Sequence, residues 1–268
     1  MPIWTLYGLS RGLATTPWPA KSTGAQQQGV LGLPVFHQEH CKENCRVCAD
    51  SCLPDAIAVE TSASGERLTI DYGKCIGCQL CTEVCPNSAL EKSDHWAFGV
   101  RRREDLVWAE ALATQEAREL KNGIRRTFGR SLHIRHVDAG SCNGCESELQ
   151  ALNNPYYNLH RLGIFFTPSP RFADLLLVTG SVTYAMREPL LETYNAMPEP
   201  KWVMAIGTCA VSGGITGGGY SCGHGLDGIL PVDVYLPGCP PNPSAIIHAL
   251  LVLLRRTEQV VHGGRYGQ

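Results

Sequence analysis

The sequence predicts an α/β protein of two units, a small cysteine-dense α+β unit followed by a larger unit built on a parallel sheet. Three observations carry this. Two runs of four cysteines lie between Cys41 and Cys85. From His133 onward, near-continuous apolar runs alternate with helical stretches, the pattern of strands covered on both faces. Between them, 96–132 reads as a helical linker, with a charged segment from Arg101 and a stretch from Leu106 to Arg130 rich in Ala, Leu, Glu, Lys and Arg, a break being expected near Asn122-Gly123. The expected division is an N-terminal amphipathic arm (1–32), a cysteine-rich unit (33–95), the linker (96–132) and the sheet unit (133–268).

Composition narrows the function. With 268 residues and 44% hydrophobic content, the chain can bury a core, which argues against wholesale disorder. A formal charge of -2 offers nucleic acid or an anionic membrane no general attraction. No apolar run approaches the roughly 18 residues a membrane span needs, so no transmembrane segment is expected. The N-terminus lacks the basic start, apolar stretch and cleavage site of a secretory signal. A reducing compartment is therefore expected, where the thirteen cysteines would bind metal rather than form disulfides.

In the arm, Ile3, Trp4, Leu6, Tyr7, Leu9 and Leu13 have the spacing of a short amphipathic helix, ended by Pro17 and Pro19. It could pack on its own domain or lie on a membrane or membrane subunit, with Trp4, Tyr7 and Trp18 at the interface.

The strongest signal follows. Cys75-x2-Cys78-x2-Cys81-x3-Cys85-Pro86 is the bacterial ferredoxin pattern for [4Fe-4S] clusters, and Cys41-x3-Cys45-x2-Cys48-x3-Cys52-Leu53-Pro54 repeats it with one extra residue in the first gap. Three thiolates at short gaps wrap one face of a cubane, while the fourth ligates the neighbouring cluster. The first cluster is then expected to take Cys41, Cys45, Cys48 and Cys85, and the second Cys52, Cys75, Cys78 and Cys81. Zinc would not call for the three-plus-one pattern twice. Residues 56–60 and 67–71 read as a hairpin between the runs.

The linker carries nine basic and five acidic residues between 101 and 135, suiting a solvated helix or a surface for an acidic partner. Beyond it, strands are expected at 133–137, 163–166, 174–178, 202–206 and 232–236. In an open parallel sheet, ligands sit beyond the carboxyl ends of the strands. Cys142, Cys209 and Cys239 each fall just past such an end, with Cys145 one turn further on, so four thiolates from three loops converge on one edge. Glycines in Gly207–Gly214 and prolines around Cys239 allow tight loops near a bulky group. Asn242 and Pro243 suit the cap and first position of a final helix over 245–254. Neither nucleotide-binding glycine motif is present.

Asp138-Ala-Gly-Ser-Cys-Asn-Gly-Cys-Glu146, Pro168-Ser-Pro-Arg-Phe-Ala-Asp174, Thr179-Gly180, Ile206-Gly-Thr-Cys209 and Leu236-Pro-Gly-Cys-Pro-Pro241 resemble the small subunit of membrane-bound, energy-converting [NiFe] hydrogenases of the formate hydrogenlyase type. The related fold is that of the terminal-cluster 20 kDa subunit of NADH:quinone oxidoreductase. Residues 1 to about 110, including Gly12-Leu-Ala-Thr-Thr-Pro17, resemble the two-cluster ferredoxin-like subunit of the same complexes, so two subunits look fused.

The resemblance implies a flavodoxin-like sheet unit, a third, proximal-type [4Fe-4S] cluster on Cys142, Cys145, Cys209 and Cys239, and three clusters in all. It implies a subunit without catalytic residues of its own, passing electrons to or from a [NiFe] site in a large subunit where protons are reduced to dihydrogen. Its implied partners are that large subunit, integral membrane subunits, and an electron donor protein or formate dehydrogenase-type module. Its implied place is the cytoplasmic side of the inner membrane, as a peripheral protein. The alternative is the equivalent subunit of a complex I-like quinone-reducing or hydrogen-inactive oxidoreductase. Cys142 and Cys145 are two residues apart as in the hydrogenases, whereas the quinone enzyme has adjacent cysteines, and this favours the hydrogenase reading.

Other residues are expected to be structural. Cys222 is left over after three sets of four, Glu146 is read as anchoring its turn by hydrogen bonds or pairing across the subunit interface rather than relaying protons to the partner, and His248 as a core residue in an apolar helix. His224 is read as a surface residue of a glycine-rich loop, and Arg171 as orienting either the cluster loop or the partner.

Overall fold

The computed structural model describes residues 3–12, 14–19, 30–42, 44–62, 65–108, 131–257 and 259. Helix α1 (Ile3–Arg11) stands exposed along its length and stops at Gly12, φ +73°, five residues before the proline expected to end it. Glycine takes that left-handed turn without a Cβ penalty, so the helix ends there. The next few residues dock on the sheet unit. Thr15 Oγ1 donates to the Pro155 carbonyl at 2.8 Å, Thr16 N–H donates to the Tyr156 carbonyl at 2.8 Å, and Arg161 donates to the Trp18 carbonyl.

The cysteine-rich unit comprises β1 (Val35–Phe36), α2 (Val47–Asp50), β2 (Ile57–Ser62), β3 (Gly65–Asp71), α3 (Leu80–Val84), β4 (Leu90–Glu91) and β5 (Val107–Trp108). The expected hairpin is β2 and β3, antiparallel from Ile57↔Ile70 to Ser62↔Gly65. Strand β4 returns against β1. Both cysteine runs thus hang on loops between short, mutually braced strands.

The linker is where the expectation fails. Residues 96–108 are not helical: a 3-10 turn at Arg103–Leu106 leads into β5, which pairs with β3. The charged residues there suit a helix locally, but Leu106, Val107 and Trp108 form a short apolar run to which β3 offers an edge. Arg103 holds the turn with a two-pronged bond to Asp71, 2.8 and 2.7 Å long. The remainder of the expected helix, 109–130, lies outside the described residues.

The sheet unit runs β6 (Leu132–Asp138), α4 (Gly144–Ala151), β7 (Ile164–Phe166), β8 (Leu175–Thr179), α5 (Tyr184–Asn195), β9 (Trp202–Ile206), α6 (Gly207–Ser212), β10 (Val234–Leu236) and α7 (Pro243–Leu253). All five strands are parallel in the order β10-β9-β8-β6-β7, the flavodoxin-like arrangement. Strand β8 is buried along its whole length. Helix α7 begins as expected, with Asn242 Oδ1 accepting from Ala245 N–H at 2.8 Å and Pro243 in the first turn.

The two units share one core. A single apolar cluster runs from Phe36, Ile70 and Trp108 to Val178, Val203 and Tyr235, and a second lies under α7 on the other sheet face. Val100 exchanges two backbone hydrogen bonds with Tyr235, 2.9 and 2.7 Å, so the end of the cysteine-rich unit lies against β10. This shared burial fixes the cysteine loops against the carboxyl edge of the sheet.

Candidate metal centres

Cys41, Cys45, Cys48 and Cys85 line one recess, of about 330 Å³ with its open solvent, together with Phe36, Leu68 and Leu90. Cys52, Cys75, Cys78 and Cys81 line a second, of about 410 Å³ on the same basis, with Ile57, Ile70 and Ile76. Each recess is thus lined by three cysteines of one run and the last cysteine of the other. Short helices make the exchange: α2 carries Cys48 and ends just before Cys52, and α3 carries Cys81 and ends just before Cys85. Left-handed residues turn the loops, Asn44 (φ +61°) before Cys45, Gly77 (φ +69°) before Cys78, and Gln79 (φ +63°) after it. Asn44 and Gly77 take the same αL conformation at the same place, directly before the second cysteine of their runs.

Amide groups point at the sulfurs. Ala56 N–H reaches Cys52 Sγ at 3.3 Å, Gly77 N–H reaches Cys75 Sγ at 3.4 Å, and Ala89 N–H reaches Cys85 Sγ at 3.2 Å. Such bonds stabilise negative sulfur, free or metal-bound.

The third group forms at the carboxyl edge of the parallel sheet. Cys142 and Cys145 follow β6, Cys145 in the first turn of α4, Cys209 lies in α6 after β9, and Cys239 follows β10. Two glycines make room for it. A Cβ on Gly207 would lie 2.6 Å from Cys145 Sγ, and one on Gly214 would lie 3.1 Å from Cys209 Sγ. Cys142 and Cys239 are exposed, so this group opens at the surface.

Thr208 stands between the second and third groups. Its Oγ1 donates to the Cys75 carbonyl at 2.9 Å and accepts from Gly238 N–H at 3.1 Å, and the side chain is 1% exposed.

Burial and mutual repulsion disfavour the thiolate at most of these positions. Burial pushes Cys48 and Cys75 up to about 11 and Cys81 to about 12, with neighbouring thiols adding to the rise in each case. Burial raises Cys145 far above the ordinary thiol range, with Glu146, Cys209, Cys239 and Cys142 reinforcing it. Cys41, Cys209 and Cys239 rise for the same first reason. Cys85 alone falls: burial raises it, but the N–H groups of Asn87, Ala89, Leu90 and Ser88 outweigh that. Four thiolates in one buried group repel one another unless a cation joins them, and an iron–sulfur core supplies it. Among the described residues no three His, Cys, Asp or Glu side chains converge on a single-ion site, so the fit rests on the recesses, the glycine clearances and the thiol grouping.

Glu146 anchors its turn, as expected. It is 9% exposed and accepts from Thr179 Oγ1 and from Ser141 Oγ (2.8 Å), while His136 Nε2 lies 2.9 Å from Thr179 Oγ1. Cys222 is buried, and its thiol donates to the Thr216 carbonyl at 3.0 Å. His248 is a core residue, edge-on to Trp96, whereas His224 and Arg171 are exposed. Sequence reasoning missed Thr208 and His136. Thr208 lay inside the quoted Ile206-Gly-Thr-Cys209 motif, but nothing there points to a residue across the chain; His136 carried no signal beyond its place in a strand.

Fold and cysteine groups together define an iron–sulfur electron-transfer protein. Residues 142–253 match the family described as NADH ubiquinone oxidoreductase, 20 kDa subunit, and residues 68–91 match the 4Fe-4S binding domain. The chain belongs to that 20 kDa subunit family and binds [4Fe-4S] clusters. It is 49% identical over 122 residues to the uncharacterized protein MJ0516 of Methanocaldococcus jannaschii, covering 46% of this chain and 82% of that one. It is 43% identical over 136 residues to the probable membrane-bound hydrogenase subunit mbhJ of Pyrococcus furiosus, covering 51% and 81%. Formate hydrogenlyase subunit 7 of Escherichia coli is 43% identical over 149 residues; the match takes in 56% of this chain and little more than half, 58%, of that relative. A solved chain of the membrane-bound sulfane sulfur reductase, an archaeal respiratory membrane complex, is 38% identical with a TM-score of 0.41, covering 47% of this chain and 70% of that one. No helix among the described residues is long and apolar enough to cross a membrane.

Proposed function

We propose that the chain is the electron-transfer subunit of a membrane-associated [NiFe] hydrogenase complex, with three [4Fe-4S] clusters in a row. The first is held by Cys41, Cys45, Cys48 and Cys85, the second by Cys52, Cys75, Cys78 and Cys81, and the third by Cys142, Cys145, Cys209 and Cys239. When bound, such clusters supply reversible one-electron transfer. The chain's own part is to hold the thiolates, keep water from the buried groups, direct amides at the sulfurs, and set the groups side by side. The segments divide this work: 33–95 carries the first two groups and 133–268 the third.

One observation carries the reading. The second group's Cys75 is hydrogen-bonded to Thr208, the residue before the third group's Cys209, so two cysteine groups from different units meet through one side chain. The third group, with Cys142 and Cys239 exposed, faces outward where a large subunit would receive electrons. The partners of this reading are that large subunit, integral membrane subunits and an electron donor protein, on the cytoplasmic face of the inner membrane. Likeness to the probable membrane-bound hydrogenase subunit of Pyrococcus furiosus and to formate hydrogenlyase subunit 7 of Escherichia coli supports hydrogen chemistry, as does the two-residue gap between Cys142 and Cys145.

The test is purification of the native complex, with nickel and dihydrogen evolution assayed together. Nickel with hydrogen evolution supports the reading. A complex that reduces quinone without nickel would establish the complex I-like alternative.

A further inference from the structure

We infer that Thr208 is a positioning residue for electron transfer, its hydroxyl both clamping the second cysteine group to the third and completing the bonded path between them. The inference rests on the three-cluster reading above and adds a role for a residue that ligates nothing.

The geometry is specific. Thr208 is 1% exposed, and its hydroxyl has one donor and one acceptor partner, each from a different loop. The donor bond goes to the Cys75 carbonyl in the cysteine-rich unit. The accepted bond comes from Gly238 N–H, one residue before Cys239. The main chain of Thr208 completes the clasp, its N–H donating to the Gly238 carbonyl at 2.9 Å. The hydroxyl therefore touches the second group through Cys75 and the third group's loop through Gly238 N–H, while the Thr208 main chain reaches the third group through its covalent neighbour Cys209 and through the carbonyl of the Gly238–Cys239 peptide.

Two consequences follow. From Cys209 Sγ to Cys75 Sγ the path is covalent except for one hydrogen bond, Thr208 Oγ1–H to the Cys75 carbonyl. The chain of N–H to hydroxyl to carbonyl is also head-to-tail, so each bond polarises the next and the clasp is stiffer than either bond alone. One electron passes from the reduced second site to the oxidised third with no bond made or broken. The reductant is a low-potential one-electron donor upstream, and the hydroxyl keeps its proton throughout.

Thr208→Val removes the hydroxyl while keeping the branched shape, and Thr208→Ser restores it. Three readings are taken on the cluster-loaded protein: iron per chain, hydrogen exchange at the Gly238 amide, and freeze-quenched spectra of the third site after addition of a substoichiometric reductant. The valine variant should keep its iron, exchange the Gly238 amide faster, and fill the third site with a severalfold loss of rate. Serine should restore both. Amide protection and filling rate unchanged in valine would overturn the inference, as would a serine variant that behaves like valine. If valine costs iron through a clash, Thr208→Ala, which cannot clash, repeats the comparison under the same criteria. Iron well short of about twelve in the unmodified chain would instead overturn the three-cluster reading, and amide exchange would still decide whether Thr208 clamps the two units.

Discussion

Gly207 yields its side-chain space to Cys145: a Cβ on the glycine would sit 2.6 Å from the sulfur, closer than real atoms approach. The same glycine has φ +84°, so a larger residue would be strained as well as obstructed. Its neighbour Thr208 faces the other way, into the second group. One turn of backbone therefore serves both groups, and substitutions within it should separate their effects.

Gly207→Ala is expected to displace Cys145 and empty the third site. Iron should fall by about four per chain, with the ferredoxin-like signals kept. Cys239→Ser, which removes a ligand without touching the turn, should lose the same amount. Retention of full iron in both would mean that the group at the carboxyl edge of the sheet holds no cluster.

The exchanged pairing makes a sharper prediction. Cys85 belongs to the second sequence run but lines the first recess, and Cys52 does the reverse. Cys85→Ser should therefore perturb the spectrum of the Cys41, Cys45 and Cys48 site, and Cys52→Ser that of the Cys75, Cys78 and Cys81 site. Parallel substitutions at Cys41 and Cys75 identify which signal is which. If Cys85→Ser resembles Cys75→Ser instead, each run closes on itself and the assignment is wrong.

Much of this was legible in the sequence because cysteine spacing is a geometric constraint. The spacing pattern leads to an expected exchange of the fourth ligand between runs, and the recess linings group the cysteines in a way consistent with it. Strand ends were legible for a related reason: Val, Leu and Ile runs such as Leu175–Val178 are too apolar for any exposed element, and the cysteines fall just beyond them. What stayed hidden depends on partners distant in the chain. The stretch 96–108 was misjudged because its charged residues suit a helix locally, while β3 offered Leu106–Trp108 an edge to pair with. Thr208 and Cys75 are 133 residues apart, and no local rule joins them.

Thr179 lies at the end of β8, and its hydroxyl donates to the Glu146 carboxylate. Thr179→Val removes that donor and leaves a buried carboxylate with Ser141 Oγ as its hydrogen-bond donor and His136 Nε2 3.6 Å away. The expected loss is about 1–3 kcal/mol, the cost of leaving a buried acceptor undersatisfied. Urea unfolding should show a lower midpoint, with the α4 amides beside Cys145 losing protection first. A midpoint equal to that of the parent would show that Glu146 draws its support from elsewhere.

The same network gives a pH dependence. Burial lowers the pKa of His136, opposed by Glu146 and Asp138 and helped by Arg135. The folded state thus prefers neutral imidazole more than the unfolded chain does. Below the unfolded value of about 6.5 the unfolded chain binds more protons, so stability falls with pH in that window and levels off below the folded value. His136→Gln removes the titration, and its unfolding midpoint should vary less than the parent's between about pH 7.5 and pH 5.5. Equal slopes in parent and variant would assign the dependence to other groups.

The docked part of the arm can be separated from its exposed helix. Trp18 meets Trp96 edge-to-face at 5.5 Å, and Trp96 meets His248 of α7 in the same way at 6.1 Å, so a ladder of rings runs from the arm into the core. Arg161 and the Thr15 and Thr16 bonds hold the same stretch from the other side. Trp18→Ala should cost about 1–3 kcal/mol, combining lost burial with a lost ring pair, and should expose the chain around 12–19 to protease. Leu9, 71% exposed on α1, is the control. Leu9→Ser should leave the isolated subunit's stability within about 0.5 kcal/mol of the parent, because the side chain is largely exposed among the described residues. A large loss from Leu9→Ser, or none from Trp18→Ala, would show that the arm is held by α1 rather than by the ring ladder.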